Sequence, residues 1–149
     1  MASVPVTASQ EPALRPQPTR REKSVARGMR ILVVEDEPLT AEVFARALSR
    51  DGHLVDVARD GLQALRLLRD RLPSLVVLDM SLPAVPGADV VRRLRQEGHL
   101  DLPIIVVSGS PRRQADLSDQ ELRPGTWLEK PVKPRELVKV VRDFTQRDD

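Results

Sequence analysis

The sequence predicts an α/β fold of three layers, a five-stranded parallel β-sheet with helices on both faces. Three observations predict it. First, Ile31-Leu32-Val33-Val34, Leu75-Val76-Val77-Leu78 and Ile104-Ile105-Val106-Val107 are short runs apolar at every position, as strands buried on both faces of a parallel sheet require. Second, the stretches between these runs carry apolar residues at helical spacing. Third, the runs end in chemically distinctive groups: Glu35-Asp36-Glu37, Asp79, Ser108 and, after the shorter Thr126-Trp127-Leu128, Lys130-Pro131. Ligands of open α/β sheets bind just beyond the carboxyl ends of the strands, so these groups share one crevice.

The elements follow in order. After the first strand, Leu39, Val43, Phe44, Ala47 and Leu48 form a helical stripe that Asp51-Gly52 ends. Leu54 to Ala58 is a second, more polar strand, as suits a sheet edge. Leu62, Leu65, Leu68 and Leu72 mark a second helix that Pro73 stops, and Val90, Val91 and Leu94 mark a third from Ala88 to Glu97, closing on Gly98. Residues 111–124 offer only Ala115, Leu117 and Leu122 as apolar side chains, so the fourth helix is expected to be short, mobile or loosely packed. The last helix starts at Pro134, which a first turn accepts, and aligns Leu137, Val140, Val141 and Phe144. Right-handed crossovers then place helices on both faces of the sheet.

Length and composition limit the function classes. With 149 residues the chain is long enough for one packed domain. It has no cysteine, which excludes a disulfide scaffold or thiol zinc site. No apolar run reaches the length of a membrane span and the N-terminus lacks the apolar stretch of a secretory signal, so a cytoplasmic protein without membrane contact is expected. Net charge is +2, but residues 1–28 hold five basic groups against Glu11 and Glu22, leaving the remainder at −1. That tail, with Pro5, Pro12, Pro16 and Pro18 and few large apolar residues, is read as disordered. It has no aromatic residue to stack on bases, and a solvated extension is the favoured reading. The domain is assigned to residues 29–147, and Met29 is a possible alternative start.

Together, Ile31-Leu32-Val33-Val34-Glu35-Asp36-Glu37-Pro38, Leu78-Asp79-Met80-Ser81-Leu82-Pro83 with Gly87, Val107-Ser108-Gly109 and Trp127-Leu128-Glu129-Lys130-Pro131 resemble the receiver domain of bacterial two-component response regulators, of the single-receiver chemotaxis-regulator type. The resemblance covers about residues 29 to 144. It implies a flavodoxin-like sheet in the order 2-1-3-4-5 and a phosphorelay function: an aspartate accepts a phosphoryl group from a sensor histidine kinase or a histidine phosphotransfer protein. It also implies that the protein catalyses only its own phosphorylation and dephosphorylation, and signals to a protein target through helix 4, strand 5 and helix 5.

Carried onto this chain, the resemblance makes Asp79 the phosphoacceptor. A carboxylate attacks an anionic phosphoryl group poorly unless charge is first neutralised. Magnesium suits an all-oxygen site of this kind, and is assigned to Asp36, Asp79, the backbone carbonyl of Ser81 and Glu35. Relatives often have Asp where Glu35 stands, and the extra methylene leaves its coordination direct or through water. Lys130 is to reach the phosphoryl oxygens, Ser108 to offer them a hydroxyl, and Trp127 to turn with Ser108 as a switch. Lys130-Pro131 is a candidate cis peptide. Taken singly, each residue has a plainer reading as a helix-start acid, turn former or edge aromatic. Glu37 is read as such a helix-start acid, and Glu129 and Lys133 as solvated charges. His53 and His99 lack the companions that a zinc site needs.

Three rival classes fit the residues less well. A haloacid-dehalogenase-type phosphatase needs a second Asp two residues after the first, where Ser81 stands. A flavodoxin-type flavin binder needs a phosphate-cradling loop where this chain has three acids. A receiver-like binding module that is never phosphorylated would not need the set Asp36, Asp79, Ser108 and Lys130. Only Thr145 to Asp149 follow the last helix, so a stand-alone receiver without direct DNA binding is expected, a fragment of a larger regulator or hybrid kinase being the alternative.

Overall fold

The computed structural model of the chain describes residues 28–146, and the disordered tail expected from the sequence lies, up to residue 27, outside them. The elements are β1 Arg30–Val34, α1 Pro38–Arg50, β2 Leu54–Ala58, α2 Gly61–Asp70, β3 Leu75–Asp79, α3 Gly87–Gln96, β4 Ile104–Ser108, a 3-10 turn Arg112–Gln114, α4 Asp119–Leu122, β5 Gly125–Glu129 and α5 Pro134–Gln146. All strand pairs are parallel and the order is β2-β1-β3-β4-β5. This is the expected three-layer, flavodoxin-like arrangement.

The apolar runs divide by strand periodicity between two cores. Leu32, Val34, Val76, Leu78, Ile104 and Val106 face α2 and α3, meeting Ala64, Leu68, Val90, Val91 and Leu94. Ile31, Val33, Val77, Ile105 and Val107 face α1 and α5, meeting Phe44, Leu48, Leu137, Val141 and Phe144. Burying each such side chain contributes about 1.5–3 kcal/mol. The central strands β1, β3 and β4 are therefore fixed from both sides, which holds the groups at their carboxyl ends in place.

Two helical stripes differ from the sequence reading. In α1 the inward residues are Ala41, Phe44 and Leu48, whereas Leu39 and Val43 are exposed and line a surface groove with Lys130, Pro131 and Val132. In α2 they are Gly61, Ala64 and Leu68, and the helix ends at Asp70 rather than reaching Leu72, because Arg71 is already extended. The cause is close approach: a Cβ on Gly61 would lie 2.6 Å from the Cβ of Val85. Small residues seat this helix, and Leu62 and Leu72 are left exposed.

The segment before β5 is short, as expected, but polar groups tie it down. The guanidinium of Arg95 on α3 donates to the carbonyls of His99, Leu102, Glu121, Leu122 and Pro124. Arg92 bonds the Glu121 carboxylate at 3.0 Å, and Ser118 and Glu121 form a capping box at the start of α4. β5 is half-buried because it pairs only with β4. The peptide bond Lys130-Pro131 is cis as expected; Arg123-Pro124 is also cis, which the sequence reading did not foresee.

Candidate functional site

The carboxyl ends of β1, β3, β4 and β5 bring Glu35, Asp36, Asp79, Ser108 and Lys130 into one crevice. Oxygens of Glu35, Asp36 and Asp79 lie within 4.8 Å of one another, with Glu35 and Asp79 buried and Asp36 exposed. Lys130 crosses from the sheet edge, its Nζ 3.4 Å from Glu35 Oε1 and 3.5 Å from Asp79 Oδ2. The amide of Ser81, which lies on the exposed loop after β3, donates to Asp79 Oδ1 at 3.0 Å. The Asp79 carboxylate is thus held from both sides, one oxygen on an amide and the other facing the ammonium.

Three acids against one lysine leave the cluster at a charge of −2. Two like charges about 4 Å apart repel by roughly 4 kcal/mol at an effective dielectric near 20. Burial raises the Glu35 carboxyl above its ordinary pKa; the amide of Glu37 works against the rise, the Asp79 charge adds to it and Lys130 offsets part of it. For Lys130, burial opposes the charged form, but Asp79 and Glu35 outweigh it and raise its pKa.

A second chain of contacts runs toward the sheet edge. Ser108 is buried and its Oγ accepts from the amide of Ser110 at 3.1 Å. The carbonyl of Ser110 in turn accepts from the indole N–H of Trp127 at 3.1 Å. Ser108 and Trp127, paired in the sequence reading, are therefore joined through the backbone of Ser110. Glu37 is the N-cap of α1, accepting from the amides of Leu39 and Thr40 at 3.0 Å each. Glu129 and Lys133 are exposed.

Sequence reasoning passed over Arg59 and considered His53 only as a zinc ligand. Arg59, directly after β2, donates to the Asp36 carbonyl at 3.1 Å. His53 is buried, and its Nδ1 accepts from the amide of Met29 at 3.0 Å.

A family model described as the response regulator receiver domain matches residues 31–142. Response regulator MprA of Mycobacterium sp. (strain KMS) is 35% identical, over 80% of this chain and 51% of its own. The alkaline phosphatase synthesis transcriptional regulatory protein SphR of Synechococcus elongatus is 39% identical, over 79% of this chain and 49% of its own. The crystal structure of response regulator protein TrrA from Thermotoga maritima, in complex with Mg2+-BeF, superposes with a TM-score of 0.67 at 30% identity, over 76% of this chain and 96% of that one. The chain spans about half the length of the curated relatives it matches. One of them is by name a transcriptional regulator, so the expected absence of direct DNA binding draws no support. No helix among the described residues is long and apolar enough to cross a membrane.

Proposed function

The chain belongs to the response regulator receiver family, and on that basis we propose that residues 29–147 form a cytoplasmic phosphoacceptor unit in which Asp79 takes a phosphoryl group from a histidine kinase or phosphotransfer protein. The observation that carries the proposal is the convergence of Lys130 with Asp79 and Glu35 at 3.4–3.5 Å inside a cluster whose acids outnumber its cations. Such a cluster suits a divalent cation, since three hard oxygen donors, one of them open to water, fit magnesium. Glu35, Asp36, Asp79 and the Ser81 carbonyl would hold it. When bound, it would supply the positive charge that lets an anionic donor approach.

The chain's own groups have distinct tasks. Asp79 Oδ2, facing Lys130, attacks phosphorus; the bond from phosphorus to the donor nitrogen breaks, and that nitrogen keeps the electron pair. The Ser81 amide fixes the carboxylate during the attack by holding Oδ1. Lys130 then exchanges its contact with the carboxylate for one with the phosphoryl oxygens, acting as a point charge. Because Ser108 Oγ already accepts from Ser110, its hydroxyl hydrogen is available to donate to a phosphoryl oxygen. Moving toward that oxygen pulls on Ser110, and through its carbonyl on the Trp127 indole. The switch thereby reaches β5 and the protein-binding surface of α4, β5 and α5. Hydrolysis of the acyl phosphate by water resets the domain.

Phosphotransfer profiling of the purified protein against the histidine kinases of its own organism tests the proposal. Rapid transfer from one or a few kinases is expected, and transfer from none would contradict it.

A further inference from the structure

Four of the five strands deliver a group to the crevice from their carboxyl ends; the fifth, β2, ends at Ala58 and is followed by Arg59. Its guanidinium reaches the loop that carries Asp36, with Nη2 donating to the Asp36 carbonyl at 3.1 Å. The turn that carries it is fixed at three points. Gln63 Oε1 accepts from the Arg59 amide at 2.7 Å, Asp60 caps α2 through the Gln63 amide at 2.8 Å, and Gly61 is pressed against Val85 on the loop after Asp79. Among the described residues Arg59 makes no ion pair within 4 Å. A guanidinium has five N–H donors in a planar fork suited to phosphate oxygens, and only one hydrogen bond of this side chain is to protein. β2 and β5 are the two edges of the sheet, so Arg59 and Lys130 enter from opposite sides.

We propose that Arg59 is a positioning residue for the phosphodonor: resting on the Asp36 carbonyl, it sets a second cation at the rim of the acid crevice, opposite Lys130, where it attracts and orients a dianionic phosphoryl group. The inference rests on the reading of Asp79 as acceptor. Arg59 acts on the donor's encounter rather than on the attack, so its removal changes the concentration of donor required more than the maximal rate.

Acetyl phosphate, with magnesium saturating, is the probe, and phosphorylation rate is measured against its concentration for wild type, Arg59→Ala, Arg59→Gln and Arg59→Lys. Arg66→Ala, an exposed change on α2, controls for net charge. Arg59→Ala and Arg59→Gln are expected to raise the half-saturating concentration about three- to tenfold, the range of a lost exposed charge contact, with maximal rate changed less than about twofold. Arg66→Ala should stay near wild type, and Arg59→Lys, which keeps the charge but loses the planar fork, should fall between wild type and Arg59→Ala. Magnesium affinity, read from Trp127 fluorescence, should not weaken in Arg59→Ala. Wild-type saturation behaviour in Arg59→Ala would overturn the inference, and so would weakened magnesium binding that Arg59→Lys fails to rescue, since that marks a brace for Asp36 only. If Asp79→Asn is labelled like wild type, the acceptor reading itself falls; if Asp79 is labelled and the Arg59 variants match wild type, only the role of Arg59 falls.

Discussion

Lys130 and Asp79, 51 residues apart in sequence, meet with Nζ 3.5 Å from Oδ2, and the same ammonium lies 3.4 Å from Glu35. One cation thus holds together two buried carboxylates that would otherwise repel each other. On the proposed mechanism it also receives the phosphoryl group. Lys130→Met should therefore slow phosphorylation by acetyl phosphate about a hundredfold, the range seen when one preorganised donor to a developing charge is removed. Stopped-flow measurement of Trp127 fluorescence at saturating magnesium checks this, and a rate within a factor of two of wild type would remove Lys130 from the mechanism.

Glu35 gives a pH test. Burial and Asp79 raise its carboxyl above the ordinary value of 4.5, so the folded state binds this proton more tightly than the unfolded state does. The stability linked to Glu35 is greatest below 4.5 and is lost as pH rises through the raised folded value. Glu35→Gln removes this titration. The variant should be more stable than wild type at pH 7 without magnesium, and the difference should shrink as pH falls toward 4.5. Millimolar magnesium should also narrow it, because binding stabilises the wild type. Urea unfolding at several pH values provides the comparison; a gap that widens on acidification would contradict the assigned sign.

Ala84, in the loop between Asp79 and α3, has φ of +68°. An L-residue there costs about 1–2 kcal/mol, while glycine adds about 0.5–1 kcal/mol of unfolded-state entropy. Ala84→Gly should accordingly stabilise the protein by up to about 1 kcal/mol and Ala84→Val should destabilise it. Equal urea midpoints for all three would show that this backbone conformation carries no strain.

The readable part of the fold was the part fixed by burial on two sides. Ile31 to Val34, Leu75 to Leu78 and Ile104 to Val107 left no alternative to central strands, and a crevice at their ends follows from parallel topology. Half-exposed elements were harder. Leu39, Val43 and Leu62 have the chemistry of core residues but face outward, because Ala41, Ala64 and Gly61 permit a closer helix approach than larger side chains would. The tether of α4 was illegible, since Arg95 works through five backbone carbonyls that no residue pattern reports. The acids, Ser108 and Lys130 stood out because each ends an apolar run. Arg59 ends a polar edge strand and looked like any surface arginine.

The central claim, that Asp79 is the phosphoacceptor, is tested most directly by incubating wild type and Asp79→Asn with magnesium and acetyl phosphate and measuring intact mass before and after mild base. Wild type should gain a single phosphoryl group that base removes, and Asp79→Asn should gain none. A base-labile phosphoryl group on Asp79→Asn, or none on the folded wild type, would contradict the claim.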